Sequence, residues 1–203
     1  MTRQSLKLLP LCLVVLSGCG KEKQVPLTQQ TPGDRSGAIG SADPLNGNGQ
    51  RLEPGTKFAR ASAKFDAANG SKVGGDAGLE EVTSGVRIRV SVHDAKPNTK
   101  LGVHVLEKGD CANLSNDDPG AHLNPRHTRH GLPGGEQHLG DLGNVKVDDK
   151  GNGELLILTS GGNLRAGDAH SFLNRAIVVD ESEDQGKPEA SGGKPALCGV
   201  IKE

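Results

Sequence analysis

The stretch HLNPRHTRHGLPGGEQHLGDLGN, residues 122–144, decides how the rest of the chain is interpreted. It contains His122, His127, His130, His138 and Asp141, and imidazole and carboxylate groups are the ligands of tetrahedral zinc sites. Two prolines and several glycines exclude a continuous helix. A loop of this length inside a compact domain is usually functional or disordered. The stretch therefore predicts either a loop ordered by a metal ion or a solvated, histidine-rich surface loop.

Alternating hydrophobic residues outside the loop indicate an all-β domain. Val86, Ile88, Val90 and Val92 alternate with polar residues, which is typical of a half-buried strand. The chain contains 30 glycines, three phenylalanines and no tryptophan or tyrosine, and its apolar runs are short. Roughly eight such strands, separated by turn signals, predict an antiparallel sandwich or barrel. The formal net charge of −1 favours no nucleic-acid partner.

The first 53 residues predict export and membrane attachment. Residues 1–18 have a positive start and a short apolar core, as signal peptides do. The sequence LSGC ending at Cys19 resembles a bacterial lipobox, in which the cysteine becomes lipidated; an ordinary cleaved signal with an incidental cysteine is the alternative. Residues 19–53 are polar and rich in glycine and proline, which predicts a flexible, lipid-anchored linker. The expected location is the cell envelope, with the domain of residues 54–203 facing the periplasm or the exterior.

Four motifs give the domain a family resemblance. HLNP, RHGLP and HLGDLGN within residues 122–144 resemble the zinc loop of the copper/zinc superoxide dismutases. GVHVLEKG at 102–109, RAIVVD at 175–180 and ALCGVI at 196–201 resemble flanking segments of that family, in the same order. The resemblance covers most of residues 58–203. It implies an eight-stranded antiparallel Greek-key barrel with long metal-binding loops.

The resemblance assigns a complete zinc site. The three histidine ligands of the family correspond to His122, His130 and His138, and the aspartate ligand corresponds to Asp141. His122 would be the ligand that bridges zinc and copper. Asp184 corresponds to the carboxylate that links the two metal sites through their histidines, a role that fixes ring orientation and tautomer. Zinc is therefore the expected cofactor.

The corresponding copper site is incomplete. Of its four histidines, His104 and the shared His122 are present, but Leu106 and Asp180 occupy the other two positions. Pro195 occupies the position of the arginine that guides the anionic substrate, with a lysine before it. An alkyl group is not a ligand, and a carboxylate favours harder ions than copper. The residual set of His104, His122 and Asp180 makes bound copper doubtful.

Two cysteines remain for the domain after Cys12 and Cys19 are assigned to the signal and the lipid anchor. In an oxidising compartment, Cys111 and Cys198 are most simply a disulfide, with a buried pair of free thiols as the alternative. The family has the same bridge. Its loop of about 87 residues would stabilise the fold by roughly 4 kcal/mol in the chain-entropy model.

Three functions are compatible with these residues. The first is a zinc-binding, dismutase-like lipoprotein without efficient dismutase activity, which would serve as a structural, metal-handling or interaction module for an unknown partner. The second is an active dismutase with copper or another metal held by His104, His122 and Asp180. The third is a weak copper carrier that uses the same three ligands plus His127. Zinc has no redox chemistry, so zinc alone cannot support dismutation.

Overall fold

The computed structural model describes residues 57–203, except 69, 113–119, 188–189 and 192. The predicted signal peptide, the lipidation site at Cys19 and the linker lie outside the described residues. Within the described ranges, no helix is long and apolar enough to span a membrane.

The domain is built from antiparallel strands, which confirms the predicted all-β class. The strands are β1 (Arg60–Lys64), β2 (Asp66–Ala67), β3 (Gly74–Val82), β4 (Gly85–His93), β5 (Lys100–Val105), β6 (Asp141–Val147), β7 (Gly153–Thr159), β8 (Ala176–Asp180), β9 (Asp184–Lys187), β10 (Ala190–Ser191) and β11 (Pro195–Val200). A single residue separates β1 from β2, so together they act as one interrupted strand. With that pair counted once, and with the short β9–β10 hairpin set aside, eight strands form the body of the domain.

The strand order of the main sheet is β1-β3-β4-β7-β6-β5-β8-β11-β2. β5, β6 and β7 are consecutive neighbours, and β8 returns to lie beside β5, which is a Greek-key arrangement. An antiparallel bridge between Ser62 of β1 and Lys202 after β11 joins the two ends of the sheet. The sheet is therefore nearly closed into a barrel, as predicted.

The interior of the barrel follows from the alternation in the strands. Val86, Ile88, Val90 and Val92 of β4 are buried, while the arginines between them are exposed. The same core takes in apolar residues from the other main strands and Phe172 from the connection between β7 and β8. Within the polar segment from Glu181 to Lys194, β9 and β10 pair as a small hairpin.

The predicted disulfide is confirmed between Cys111 and Cys198, whose Cα atoms are 5.9 Å apart. Cys198 is fully buried in β11 and packs with Ala176 and Val178 of β8. The bridge fixes the chain just after β5 to the last strand. It thereby anchors the start of the long segment that carries the histidines of residues 122–138.

Candidate metal centre

The candidate centre forms where the long segment between β5 and β6 folds back over one end of these strands. His104 projects from β5, Asp141 begins β6, and Asp180 ends β8. Asp184 begins β9, beyond a short turn. An antiparallel bridge between Leu106 and His122 holds the segment against the end of β5. The topology therefore brings together residues that are far apart in sequence.

Asp141 lies at the centre of the predicted zinc set. Its carboxylate is fully buried and lies 2.8 Å from Nδ1 of His122, 3.0 Å from Nδ1 of His130 and 3.3 Å from Nδ1 of His138. It also accepts the backbone N–H groups of Gly131, at 3.1 Å, and His138, at 2.8 Å. Three imidazole Nδ1 atoms from separate turns of the loop thus converge on one carboxylate.

Two of those nitrogens have no hydrogen-bond partner. Nδ1 of His130 and Nδ1 of His138 are buried but lack the geometry of a hydrogen bond to Asp141. Buried polar atoms are almost always satisfied, so such an atom needs a specific explanation. A metal ion bound by these nitrogens and the carboxylate would supply it.

His104 is in a different environment, between two buried carboxylates. Its Nδ1 lies 2.9 Å from Oδ2 of Asp180, and its Nε2 lies 3.1 Å from Oδ2 of Asp184. Its ring stacks on that of His122, with centroids 4.1 Å apart. Both nitrogens of His104 are therefore engaged by carboxylates.

Electrostatics at the centre follow from these contacts. Burial disfavours the charged ring of His104, but hydrogen bonds to Asp180 and Asp184 outweigh it and raise the pKa of His104 to about 9. Burial raises the pKa of Asp180 and lowers the pKa of His122. Burial opposes charge on Asp141 as well, but the hydrogen bonds from His122 and from two backbone N–H groups lower the pKa of Asp141 overall. The Asp141 carboxylate is thus favoured as an anion, the form that binds metal.

Asp184 contacts two histidines of the centre, His104 and His130. One carboxylate oxygen contacts His104, and the other lies 3.0 Å from Nε2 of His130. Asn144 holds Asp184 in place, because its amide donates to the Asp184 carbonyl at 2.9 Å and accepts the Asp184 N–H at 2.8 Å. Sequence reasoning gave Asn144 no role, although this residue ends the HLGDLGN motif; only the fold reveals its partner 40 residues away.

Leu106 and Asp180 stand where the family resemblance expects two further copper-binding histidines, and both make other contacts. Leu106 is buried in an apolar cluster with Ala176, Val178 and Cys198. The carboxylate of Asp180 is bonded to Nδ1 of His104, and its second oxygen is buried without a partner. The residues present do not fit an all-histidine copper site.

Four side chains place one potential ligand atom each within 4.8 Å of all the others: His104, His122, His130 and Asp141. This group shares three members with the predicted zinc set but includes His104 in place of His138. His138 nonetheless adjoins the group through Asp141. A cavity of about 320 Å³ borders His122, His130 and His138, and the exposed His127 also lines it.

Comparison with known proteins agrees with the fold. The sequence profile of copper/zinc superoxide dismutase (SODC) matches residues 73–201. The chain belongs to the copper/zinc superoxide dismutase family. A superoxide dismutase [Cu-Zn] 2 from Aquifex aeolicus (strain VF5) is 34% identical over 149 residues, covering 70% of this chain and 86% of the relative.

The chain is also similar to proteins that are not named as superoxide dismutases. The superoxide dismutase-like protein YojM of Bacillus subtilis (strain 168) is 28% identical, with 60% of this chain and 65% of that protein covered. A crystal structure of a histidine-substituted variant of a SOD-like protein from Bacillus subtilis is similar, with a TM-score of 0.60, 27% identity, and coverage of 70% of this chain and 97% of that one. The clock protein EA4 matches with a TM-score of 0.62 at 28% identity, covering 74% and 98% of the two chains.

Proposed function

We propose that this protein is a zinc-binding, dismutase-like lipoprotein of the cell envelope without efficient dismutase activity. The observation that carries the proposal is the contrast between two adjacent sites. The loop histidines converge on Asp141 with two nitrogens left unpartnered, whereas His104 is bonded on both sides by carboxylates. Attachment to the membrane through Cys19 rests on the sequence alone.

The donor set supports zinc at His122, His130, His138 and Asp141. Three imidazoles and one carboxylate would supply four protein ligands, the number that is typical of structural zinc sites. His138 is preferred to His104 as the fourth residue for a physical reason. Nδ1 of His138 is buried and unpartnered, while each ring nitrogen of His104 already contacts a carboxylate.

The residues around the four proposed ligands would hold a bound zinc ion in position, and they would not exchange electrons with it. Asp184 contacts Nε2 of His130 and so orients the ring, leaving the Nδ1 side toward Asp141. The Gly131 and His138 N–H groups hold the Asp141 carboxylate. A bound zinc would provide charge and cross-linking of the loop, since this ion has no redox chemistry.

The copper position lacks the chemistry that dismutation requires. Superoxide must alternately reduce and reoxidise one metal ion, and copper needs imidazole-rich coordination for that purpose. Leu106 offers no donor atom, and Asp180 offers a carboxylate that is engaged with His104. The position of the substrate-guiding arginine is held by Pro195, which is buried in β11 and pairs with Asp180. An active dismutase is the second candidate, and the names of the Aquifex relatives favour it.

Metal analysis of the purified full chain tests the zinc proposal. We expect one zinc per chain, bound with an affinity that falls at least tenfold in His138→Ala, because one of four ligands is lost. The matched control is His127→Ala, which removes an exposed histidine of the same loop and should leave zinc binding unchanged. Unchanged zinc content and affinity in His138→Ala would contradict the assignment.

A further inference from the structure

The proposed zinc site is less deeply buried on the side of the loop of residues 122–138, here called the metal loop, than on the side of the strands. On the strand side, the side chains of Asp141 and Asp184 are fully buried, and that of His104 is 1% exposed. On the loop side, the side chains of His122 and His138 are 9% and 18% exposed. An ion that enters the site from solvent therefore arrives on the side of His122 and His138.

On that side, His138 borders one cavity of about 320 Å³ and another of about 490 Å³. The first cavity is lined by three of the proposed ligands, His122, His130 and His138. The second is lined by His138 but not by the other proposed ligands. One water molecule occupies about 30 Å³, so each cavity has room for a hydrated metal ion. The first cavity leads such an ion to more of the ligands.

Charge distinguishes the two cavities. The first is lined by the exposed Glu107, and none of its described lining residues is a lysine or an arginine. The second is lined by Arg126 and Glu136, whose charges oppose each other. The guanidinium of Arg126 lies against Gly161, in the space that a side chain at that glycine would need, so this cation is held at the cavity wall. A divalent cation is therefore attracted to the first cavity more strongly than to the second.

The backbone holds Glu107 firmly at the wall of the first cavity. Its N–H donates to the carbonyl of Ala121 at 2.9 Å, and its own carbonyl accepts the guanidinium of Arg175. The backbone of Glu107 is thus fixed on both sides of the peptide unit, while its side chain is exposed. The carboxylate is therefore available at the opening of the cavity for a cation from solvent.

His127 lines the same cavity from a tight turn of the metal loop. Its φ of 53° lies in the left-handed region, which residues with a side chain rarely adopt. Its N–H donates to the carbonyl of Asn124 at 3.2 Å, and the Asn124 amide bonds the N–H and the carbonyl of Thr128 at 3.0 and 2.9 Å. Such a conformation persists where its surroundings hold it, and it is common at ligand sites. The turn therefore presents the exposed imidazole of His127 to the cavity.

We propose that Glu107 and His127 form a capture site for divalent metal ions at the opening of this cavity, from which zinc passes to His138 and the other ligands. This inference rests on the zinc site proposed above. The Glu107 carboxylate attracts the hydrated ion, and the imidazole of His127, a zinc-binding group, replaces one of its water molecules. Each ligand that follows displaces another water molecule, and no bond within the protein breaks. His127 releases the ion once the four ligands bind it, so His127 affects the rate of binding and not the final affinity.

The rate of zinc uptake by the metal-free full chain tests the capture site. The chelator-treated protein is mixed with zinc ions in a stopped-flow instrument, and free zinc is followed with a fluorescent indicator. Glu107→Gln should slow uptake at least about threefold and reduce its dependence on salt, because the attraction that salt screens is lost. The matched control is Glu136→Gln, which removes the same charge from the second cavity and should leave the rate unchanged.

A second variant, His127→Asn, tests the imidazole without disturbing the turn, because asparagine also adopts the left-handed conformation. Uptake and release of zinc should both slow by the same factor, at least about threefold, with the equilibrium affinity unchanged. The melting temperature of each metal-free variant, compared with that of metal-free wild type, verifies that it is folded.

Four outcomes would overturn the capture site. Equal uptake rates in wild type, Glu107→Gln and His127→Asn would do so while leaving the zinc site itself intact. Faster uptake in Arg126→Ala would place the entrance at the second cavity. An equilibrium affinity that falls at least about tenfold in His127→Asn would make His127 a permanent ligand. A wild-type chain that binds no zinc would overturn the zinc assignment and this proposal together.

Discussion

Replacing Asp141 with alanine tests whether this one carboxylate organises the metal loop. The side chain is fully buried and accepts two backbone N–H groups, from Gly131 and His138. A buried donor left without its acceptor costs about 1–3 kcal/mol. In chelator-treated protein, the free energy of unfolding of Asp141→Ala should therefore fall by about 2–6 kcal/mol, measured by urea denaturation.

Zinc should increase the difference in the free energy of unfolding between wild type and Asp141→Ala. At a free zinc concentration about 100 times its Kd, wild type should gain about 2.7 kcal/mol, and Asp141→Ala should gain almost nothing. The matched control is Asp148→Ala, since Asp148 also accepts two backbone N–H groups, from Lys150 and Asn152, but in an exposed turn where water can replace it. An Asp141→Ala protein that is no less stable than Asp148→Ala, or that zinc stabilises as much as wild type, would contradict a role for Asp141 in organising the metal loop.

Two further predictions concern the cysteines. Replacing both Cys111 and Cys198 with serine should lower the free energy of unfolding by about 4–5 kcal/mol in the chain-entropy model, because the bridge closes a separation of 87 residues; a loss below about 1 kcal/mol in urea denaturation would argue against that mechanism. Cys19→Ser should move the protein from the detergent phase to the aqueous phase in detergent partitioning, because the acyl chains proposed at Cys19 would be lost. A Cys19→Ser protein that still partitions with detergent would show that another segment anchors it.

The barrel could be predicted because its strands repeat a simple pattern. β4 alternates apolar and polar residues, and the structure buries the apolar set as that pattern requires. The continuous apolar run of β7 did not predict which of its side chains are exposed, because such a run is typical of a strand that is buried on both faces. Leu156 and Leu158 nevertheless point to the outside. The hairpin of β9 and β10 is polar and rich in glycine, so no hydrophobic period marked it.

The proposed zinc ligands could be identified from the sequence because these histidine and aspartate residues lie within one loop. Local sequence patterns alone do not place Asp180 beside His104, because these residues are 76 positions apart and meet only through the pairing of β5 with β8; it was the family resemblance that put both in one site. A role for Asn144 could not be predicted for the same reason, because its hydrogen-bond partner Asp184 belongs to a different strand. Local sequence patterns indicate which side chains carry donor atoms. The order of the strands in the sheet determines which of these side chains come into contact.

Whether the lost copper ligands abolish dismutation is tested by comparing the dismutation rate of copper-loaded wild type with that of Leu106→His with Asp180→His. Both proteins should be loaded with zinc and copper, dialysed to remove loose copper, and assayed by pulse radiolysis. We expect a wild-type rate no higher than that of zinc-only protein, and a double variant at least 100-fold faster with one tightly bound copper. Copper-loaded wild type that approaches the diffusional ceiling of about 10⁹ M⁻¹s⁻¹ would contradict the claim that the lost ligands abolish catalysis.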